Sequence, residues 1–442
     1  FDEKSTIKLN ANTFLSSSSP VTVKTVEMGT YFLMLYNATT DLTITGSLNI
    51  NNAQGGINTG AADLTLNGPL TVLGGGIIST GGNLTFGTGA VNSSFGQGTF
   101  MHLTDTSLVL NTNLAIPYLH LSGNTILQTN GNKITPAYLE IGMSSELDFT
   151  DITTNTDTIL TLADNSSVRK TGDLVLKQIG TEGYTLTLNN AISSLTADGI
   201  YLSAGDQSHP NYGANTGKLL ANGVNTTINK SLWINSGKLK MGGGTLSLIQ
   251  GGGMDSNSNG ELDLTNSTLS LSGPFFNNGG QLKTSASTLT LNANTMFILG
   301  NAVAFDNYNP NGWGLLLYNN STNTSTTTSL TLGKAGGSII LEPNANAPTS
   351  GFVQSYSDTN VEYSQQSHAI GIATNDTSVN ILGEITLKNN AEIDSSTGEL
   401  SIADLSLEKG EIVINGGTLS LGGGSVAADG EIEIIGQSTL KL

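Results

Sequence analysis

The 442-residue chain has no cysteine, a single arginine (Arg169) and two tryptophans, and only 11% of its residues are charged. Without cysteine there is no disulfide framework, no thiolate metal site and no thiol nucleophile. An average domain carries about 25% charged residues, so coiled coils and long solvated helices, which need Glu and Lys, are excluded. The longest apolar run, Tyr31–Tyr36, is six residues, far short of the roughly 18 needed for a membrane-spanning helix. Positive charge is scarce as well: 16 Lys and Arg face 34 Asp and Glu, for a net charge of −18. Nucleic-acid binding depends on clustered cations that displace phosphate counterions, so nucleic acid is excluded as a partner, and membrane insertion is not expected. The chain begins at Phe1, with no leader visible, and reads as a processed mature chain or an excerpt.

What the sequence holds in abundance is glycine, 55 residues, together with Asn, Ser and Thr. These are not scattered at random. Asp41–Ile50 reads apolar–polar–apolar, then Gly-Ser, then the same again, and Asp63–Val72 repeats it 22 residues later. Leu239/Met241 and Leu246/Leu248 return as Leu262/Leu264 and Leu269/Leu271, and then as Leu282 and Leu289/Leu291. Period-2 alternation over three to five residues marks short strands with one buried face. Gly and Asn between them tolerate the left-handed backbone that tight bends require. A recurrence of 20–22 residues is one coil of a solenoid, with Leu, Ile and Val stacked in an inner column and Asn, Ser and Thr facing outward. The expected fold is all-β, a parallel β-helix (β-solenoid) with roughly 20–22-residue coils. Tandem β-sandwich modules, with longer strands, are the alternative.

Gly242–Leu248 (GGGTLSL) and Gly416–Gly424 (GGTLSLGGG), together with the Leu-x-Leu-x-Gly/Asn repeats from about Asp41 onward, resemble bacterial exported β-helix proteins. The filamentous-haemagglutinin-like adhesins and autotransporter passenger domains are the nearest group. That resemblance implies an extracellular or cell-surface protein with structural or adhesive duty, and it transfers no catalytic residue.

Four regions follow. Residues 1–40 are irregular, with Ser16–Ser19 and the bulky cluster Tyr31–Leu35, and read as an N-terminal cap or interaction segment. Residues 41–300 form the solenoid, with a loop excursion near 193–229. Residues 301–367 are an aromatic, Ser/Thr-rich excursion in which Tyr308, Trp313 and Tyr318 are candidates for a ligand or partner contact. Residues 368–442 return to clean coils and end without a cap, carrying ten acidic residues against three lysines from Glu384 on. An open edge invites pairing with another strand. Ile7, Leu9, Leu440 and Leu442 are therefore candidate assembly residues for head-to-tail stacking on further copies of the chain.

Chemistry-bearing motifs are few. Asp255, Asn257 and Asn259, then Gly260, Glu261 and Asp263, follow the start of an EF-hand-type loop and form a candidate calcium site. Position 12 of that loop is Asn266 where a bidentate carboxylate is expected, and the alternative is a polar corner. The pairs Glu146/Asp148, Glu392/Asp394 and Glu431/Glu433 sit at i, i+2, about 6.6 Å apart on a strand. That is near a glycosidase separation, but each pair alternates with apolar residues and so faces solvent. The four histidines (His102, His120, His209, His368) lack metal-ligand spacing. No catalytic residue is assigned and no cofactor other than calcium is expected. The expected function is a non-enzymatic structural subunit of a surface fibre, sheath or lattice. A surface adhesin for glycan or host protein is the alternative, and a polysaccharide-degrading β-helix enzyme a remote one.

Overall fold

A computed structural model describes residues 2–204, 217–254, 260–277, 280–319, 328–343, 371–375, 377–395 and 398–442. Strands account for 62% of the chain, and the helical element among the described residues is one 3-10 turn at Thr88–Asn92. The chain divides into two compact units, residues up to Ser193 and residues from Ser194 onward. Each is a parallel β-solenoid, and together they hold about 18 turns of roughly 21 residues.

In the first unit Leu42–Ile50 pairs with Leu64–Leu66, that strand with Asn83–Phe86, and that in turn with Ser107–Leu110. Every pairing is parallel and in register, so Leu42, Leu64, Leu84 and Leu108 form one column and Ile44, Leu66, Phe86 and Leu110 another. All eight side chains are buried. Because strand residues alternate between faces, Thr43, Thr65, Thr85 and Val109 stack on the outer side. The second unit repeats the arrangement: Leu246, Leu269, Leu289 and Tyr308 stack in one buried column, Thr227, Ser247, Ser270 and Thr290 in the adjacent outer one.

Polar side chains tie one coil to the next. A side-chain oxygen of Asp or Asn (Oδ1) accepts the backbone N–H that opens the following coil: Asp63 from Asn83 at 2.7 Å, Asn113 from Lys133 at 2.8 Å, Asn165 from Thr185 at 2.8 Å, Asn225 from Thr245 at 2.9 Å and Asn294 from Gly314 at 2.7 Å. Each clasp spans 20 residues. Buried threonines do the same at corners, donating to carbonyls of the preceding coil, as Thr125 does to Leu103 O at 3.2 Å and Thr158 to Pro136 O at 3.1 Å. Thr99, Thr125, Thr158 and Thr295 are buried at these corners. A corner leaves backbone carbonyls unpaired, and a short hydroxyl can satisfy one without opening the column.

The coils extend into regions expected to be irregular. Thr6–Lys8 pairs in register with Val21–Met28, and Thr13–Leu15 with Phe32–Leu35. Residues 2–40 therefore hold four coil strands, Thr6–Lys8, Thr13–Leu15, Val21–Met28 and Phe32–Leu35. Ile192–Ser203 pairs in parallel with Asn225–Asn235, the register shifting once between Ala197 and Gly199, and Lys218–Leu220 pairs with Lys238–Lys240. The part of the 193–229 excursion that is not coil falls at 205–216, outside the described residues. Likewise Val303–Phe305, Asn307–Asn309, Leu315–Asn319, Ser329–Leu332 and Ser338–Leu341 are coil strands. Residues 320–327 and 344–370 lie outside the described residues.

Candidate functional site

Coil stacking brings together side chains far apart in sequence, and in the first unit it builds one outer cluster of aromatic and titratable groups. Thr99–Thr104, Leu114–Gly123 and Ile134–Met143 are consecutive strands of one sheet. Their register places Phe100, Tyr118 and Tyr138 in one outward column and His102, His120 and Glu140 in the next. The Tyr118 and Tyr138 rings stack with centroids 5.0 Å apart and planes at 15°. The His102 ring touches Phe100, Tyr118 and His120 at centroid distances of 4.8, 5.4 and 5.3 Å. Gly76 precedes Phe100 in its column, and a Cβ there would lie 2.7 Å from the phenyl ring. The missing side chain is what lets that ring settle on the sheet.

Glu140 organises the polar half of the cluster. Its Oε2 accepts both the Tyr118 hydroxyl and His120 Nδ1–H, the latter at 2.9 Å. The bond from His120 and the one from Tyr118 hold the carboxyl below its ordinary range despite burial. Burial, reinforced by the carboxylate, pushes the Tyr118 hydroxyl well up, so it stays a donor. Tyr138 is raised by burial, and its hydroxyl accepts Thr161 Oγ1–H at 2.9 Å. Burial, then the adjacent His120, pushes His102 below the usual imidazole range. At neutral pH the group therefore holds a charged carboxylate and a neutral His102. It can take up protons on acidification. The sequence signal was a coil-length spacing: Phe100, Tyr118 and Tyr138 are 18 and 20 residues apart, as are His102, His120 and Glu140. A search for helical or local metal-ligand spacing passes over it.

The second clustering concerns Arg169. One coil on from Glu146 and Asp148, its guanidinium reaches Asp148 Oδ2 at 2.7 Å and Glu146 Oε1 at 3.6 Å. Thus the pair 146/148 does not simply face water. Asp148 also accepts Thr150 N–H and Oγ1–H; burial raises its pKa, but these bonds and Arg169 together hold it low. Both acids are committed to structural bonds.

Of the calcium candidates, Asp255, Asn257 and Asn259 lie outside the described residues. Glu261 is on the strand Glu261–Asp263, where its carboxylate bridges Lys238 Nζ at 3.0 Å and Lys283 Nζ at 2.8 Å on the flanking coils. Asp263 accepts the Thr265 N–H at 3.0 Å. A cation would have to displace two ammonium groups from Glu261. Among the described residues no three His, Asp or Glu side chains are placed to hold a metal.

Tyr308 is not a surface contact residue. It stands in register with Leu289 and is buried, occupying a leucine position in the inner column. An aromatic in a polar stretch suggested exposure, but the alternation Asn-Tyr-Asn turns it inward. Trp313 is half-buried beside a turn closed by its N–H on Pro310 O at 2.9 Å. Tyr318 lies on Leu315–Asn319 in register with Ile298. Leu9 is buried and belongs to the interior, while Ile7 is half-buried opposite Val26. Leu440 continues the column of Leu419, and both it and Leu442 are exposed.

Comparison of the chain with protein-family models, with curated proteins and with solved structures gave no match in any of the three.

Proposed function

We propose that the chain is a non-enzymatic structural protein of a cell exterior, a β-solenoid subunit that stacks end to end with further copies into a fibre, sheath or lattice. One observation carries the reading: about 18 parallel coils stack with continuous buried columns inside and Ser, Thr and Asn on the outer faces, a repeating scaffold. Val426 follows Leu407, Ile434 follows Ile414 and Leu440 follows Leu419 in register, and all three are exposed. A further parallel strand would cover these three side chains, and this reading assigns it to a second copy.

Sedimentation velocity over a hundredfold concentration range tests this, with electron microscopy of the concentrated sample. Growing end-to-end assemblies that Leu440→Asp and Val426→Asp abolish are expected. A single monomeric boundary at every concentration overturns it. A second reading, a surface adhesin for glycan, is favoured by the exposed aromatic side chains of the second unit.

A further inference from the structure

Tyr118 and Tyr138 are the stacked pair of the first unit's outer cluster. Both lie on the outer face of their strands and are half-buried. Their ring centroids are 5.0 Å apart with planes at 15°. Neighbouring strands are themselves about 4.8 Å apart, so the rings rise from a register pair without leaning away from each other. Phe100 precedes Tyr118 in the column and Ile159 follows Tyr138. Neither of those side chains is a phenol. Within the column each tyrosine therefore has the other as its phenolic neighbour.

The two hydroxyls are held differently. Tyr118 donates to Glu140 Oε2, which also accepts His120 Nδ1–H at 2.9 Å. The Tyr138 oxygen accepts Thr161 Oγ1–H at 2.9 Å. A phenol that loses an electron becomes a strong acid and sheds its proton at once. A carboxylate already hydrogen-bonded to that proton is well placed to receive it. Tyr118 is accordingly the easier of the two to oxidise, and Tyr138 lies against the radical so formed. Other tyrosines stand in different settings. Tyr184 and Tyr308 are buried, and Tyr201 is in register with Trp233, which is 50% exposed. Tyr36 is 70% exposed, and its ring meets that of Phe14 at 6.2 Å.

We propose that Tyr118 and Tyr138 are a site of oxidative modification, joined by a one-electron oxidant, a haem peroxidase with hydrogen peroxide, into a dityrosine staple between adjacent coils. Each phenol gives up one electron and one proton. The Tyr118 proton passes to Glu140 and on to solvent, and the Tyr138 proton leaves to solvent directly. The two radicals pair through a new Cε–Cε bond, and the hydrogens on those carbons move to the oxygens, restoring both phenols. Two electrons and two protons leave in all, and they reduce one hydrogen peroxide to two waters. The staple ties Leu114–Gly123 to Ile134–Met143, in a chain that has no cysteine for a disulfide. It does not depend on end-to-end assembly.

The test treats the dilute full chain with a haem peroxidase and hydrogen peroxide, reads dityrosine fluorescence and maps the joined peptides by mass spectrometry. A peptide pair linked through Tyr118 and Tyr138, lighter by two hydrogens than its parts, is expected in the monomer. Its yield should not change on dilution, whereas links through Tyr36 join separate chains and should fall. Tyr138→Phe should abolish the intrachain link, with circular dichroism confirming that the coils remain. Glu140→Gln keeps a hydrogen-bond acceptor but not a base, and should slow the initial rate severalfold at pH 7. Parent and variant rates should converge at strongly acid pH. In the stapled chain, amides of both strands should exchange about tenfold more slowly, as expected when a covalent link constrains the open coil. Absence of the Tyr118–Tyr138 peptide from the treated monomer overturns the proposal. So does an undiminished intrachain dityrosine yield in folded Tyr138→Phe, or a Glu140→Gln rate equal to the parent's at pH 7.

Discussion

Replacing Glu140 by Gln probes the cluster that the coil register creates in the first unit. The amide keeps the size of the side chain and an oxygen able to accept both Tyr118 and His120, and removes only the charge. A hydrogen bond to a charged acceptor contributes about 1.5–3 kcal/mol, and one to a neutral acceptor about 0.5–1.5 kcal/mol. Two bonds converge on Glu140 Oε2, and the side chain is only 26% exposed. The difference is then about 1 kcal/mol per bond, or about 2 kcal/mol in all. In a solenoid that loss stays with the coils that carry it, so local opening is the quantity to measure. At about 1.4 kcal/mol per factor of ten, amides in Leu114–Gly123 and Ile134–Met143 should exchange about 30-fold faster at pH 7 in the variant, measured by hydrogen-exchange mass spectrometry. The pH dependence has a definite sign. Glu140 titrates below the 4.5 of a free side chain, so its stabilisation is complete above 4.5 and is lost as pH falls through the folded value. Parent and variant should therefore converge at strongly acid pH. Exchange within twofold of the parent at pH 7, or a deficit unchanged on acidification, would refute the role assigned to Glu140.

Other outcomes follow from the same geometry. His102 titrates below 6.5, so it favours the folded coil when neutral, and that contribution should fade as pH falls from about 6.5; His102→Phe should remove this upper step from the exchange profile of Thr99–Thr104. Glu411 is raised by burial and by Glu392, Glu431, Glu433 and Asp394 around it. A raised carboxyl destabilises the fold when charged, so Glu411→Gln should increase thermal stability at pH 7, and the gain should shrink in high salt and vanish at acid pH. The buried Tyr308 hydroxyl has no hydrogen-bond partner among the described residues, and Tyr308→Phe should stabilise its coil by about 1 kcal/mol in chemical denaturation; a loss instead would show that the hydroxyl is satisfied. Gly68→Ala would drive a Cβ into the Gly46 carbonyl oxygen and should cost several kcal/mol, on the order of other backbone clashes, seen as loss of protection in Leu64–Leu66.

Strand, coil length and inner column were readable in the sequence because each is a short-range periodicity. Leu42 and Ile44, two apart, declare a buried face, and their return as Leu64 and Leu66 declares the coil. Glycine, asparagine and the scarcity of charge follow from that repeat, since bends and outer ladders consume them. Register between coils is different. His102 and His120, Arg169 and Asp148, or Glu261 and its two lysines meet only because intervals of 18 to 23 residues close into whole turns. Coil lengths vary with each corner, and no local signal states which residue overlies which. Burial of Tyr308 and exposure of Trp233 were decided the same way, by which face of a strand each occupies once the backbone is wound. The sequence by itself determined that the chain winds into stacked parallel coils; only the wound structure decided which side chains, a full turn apart, stand side by side on its surface.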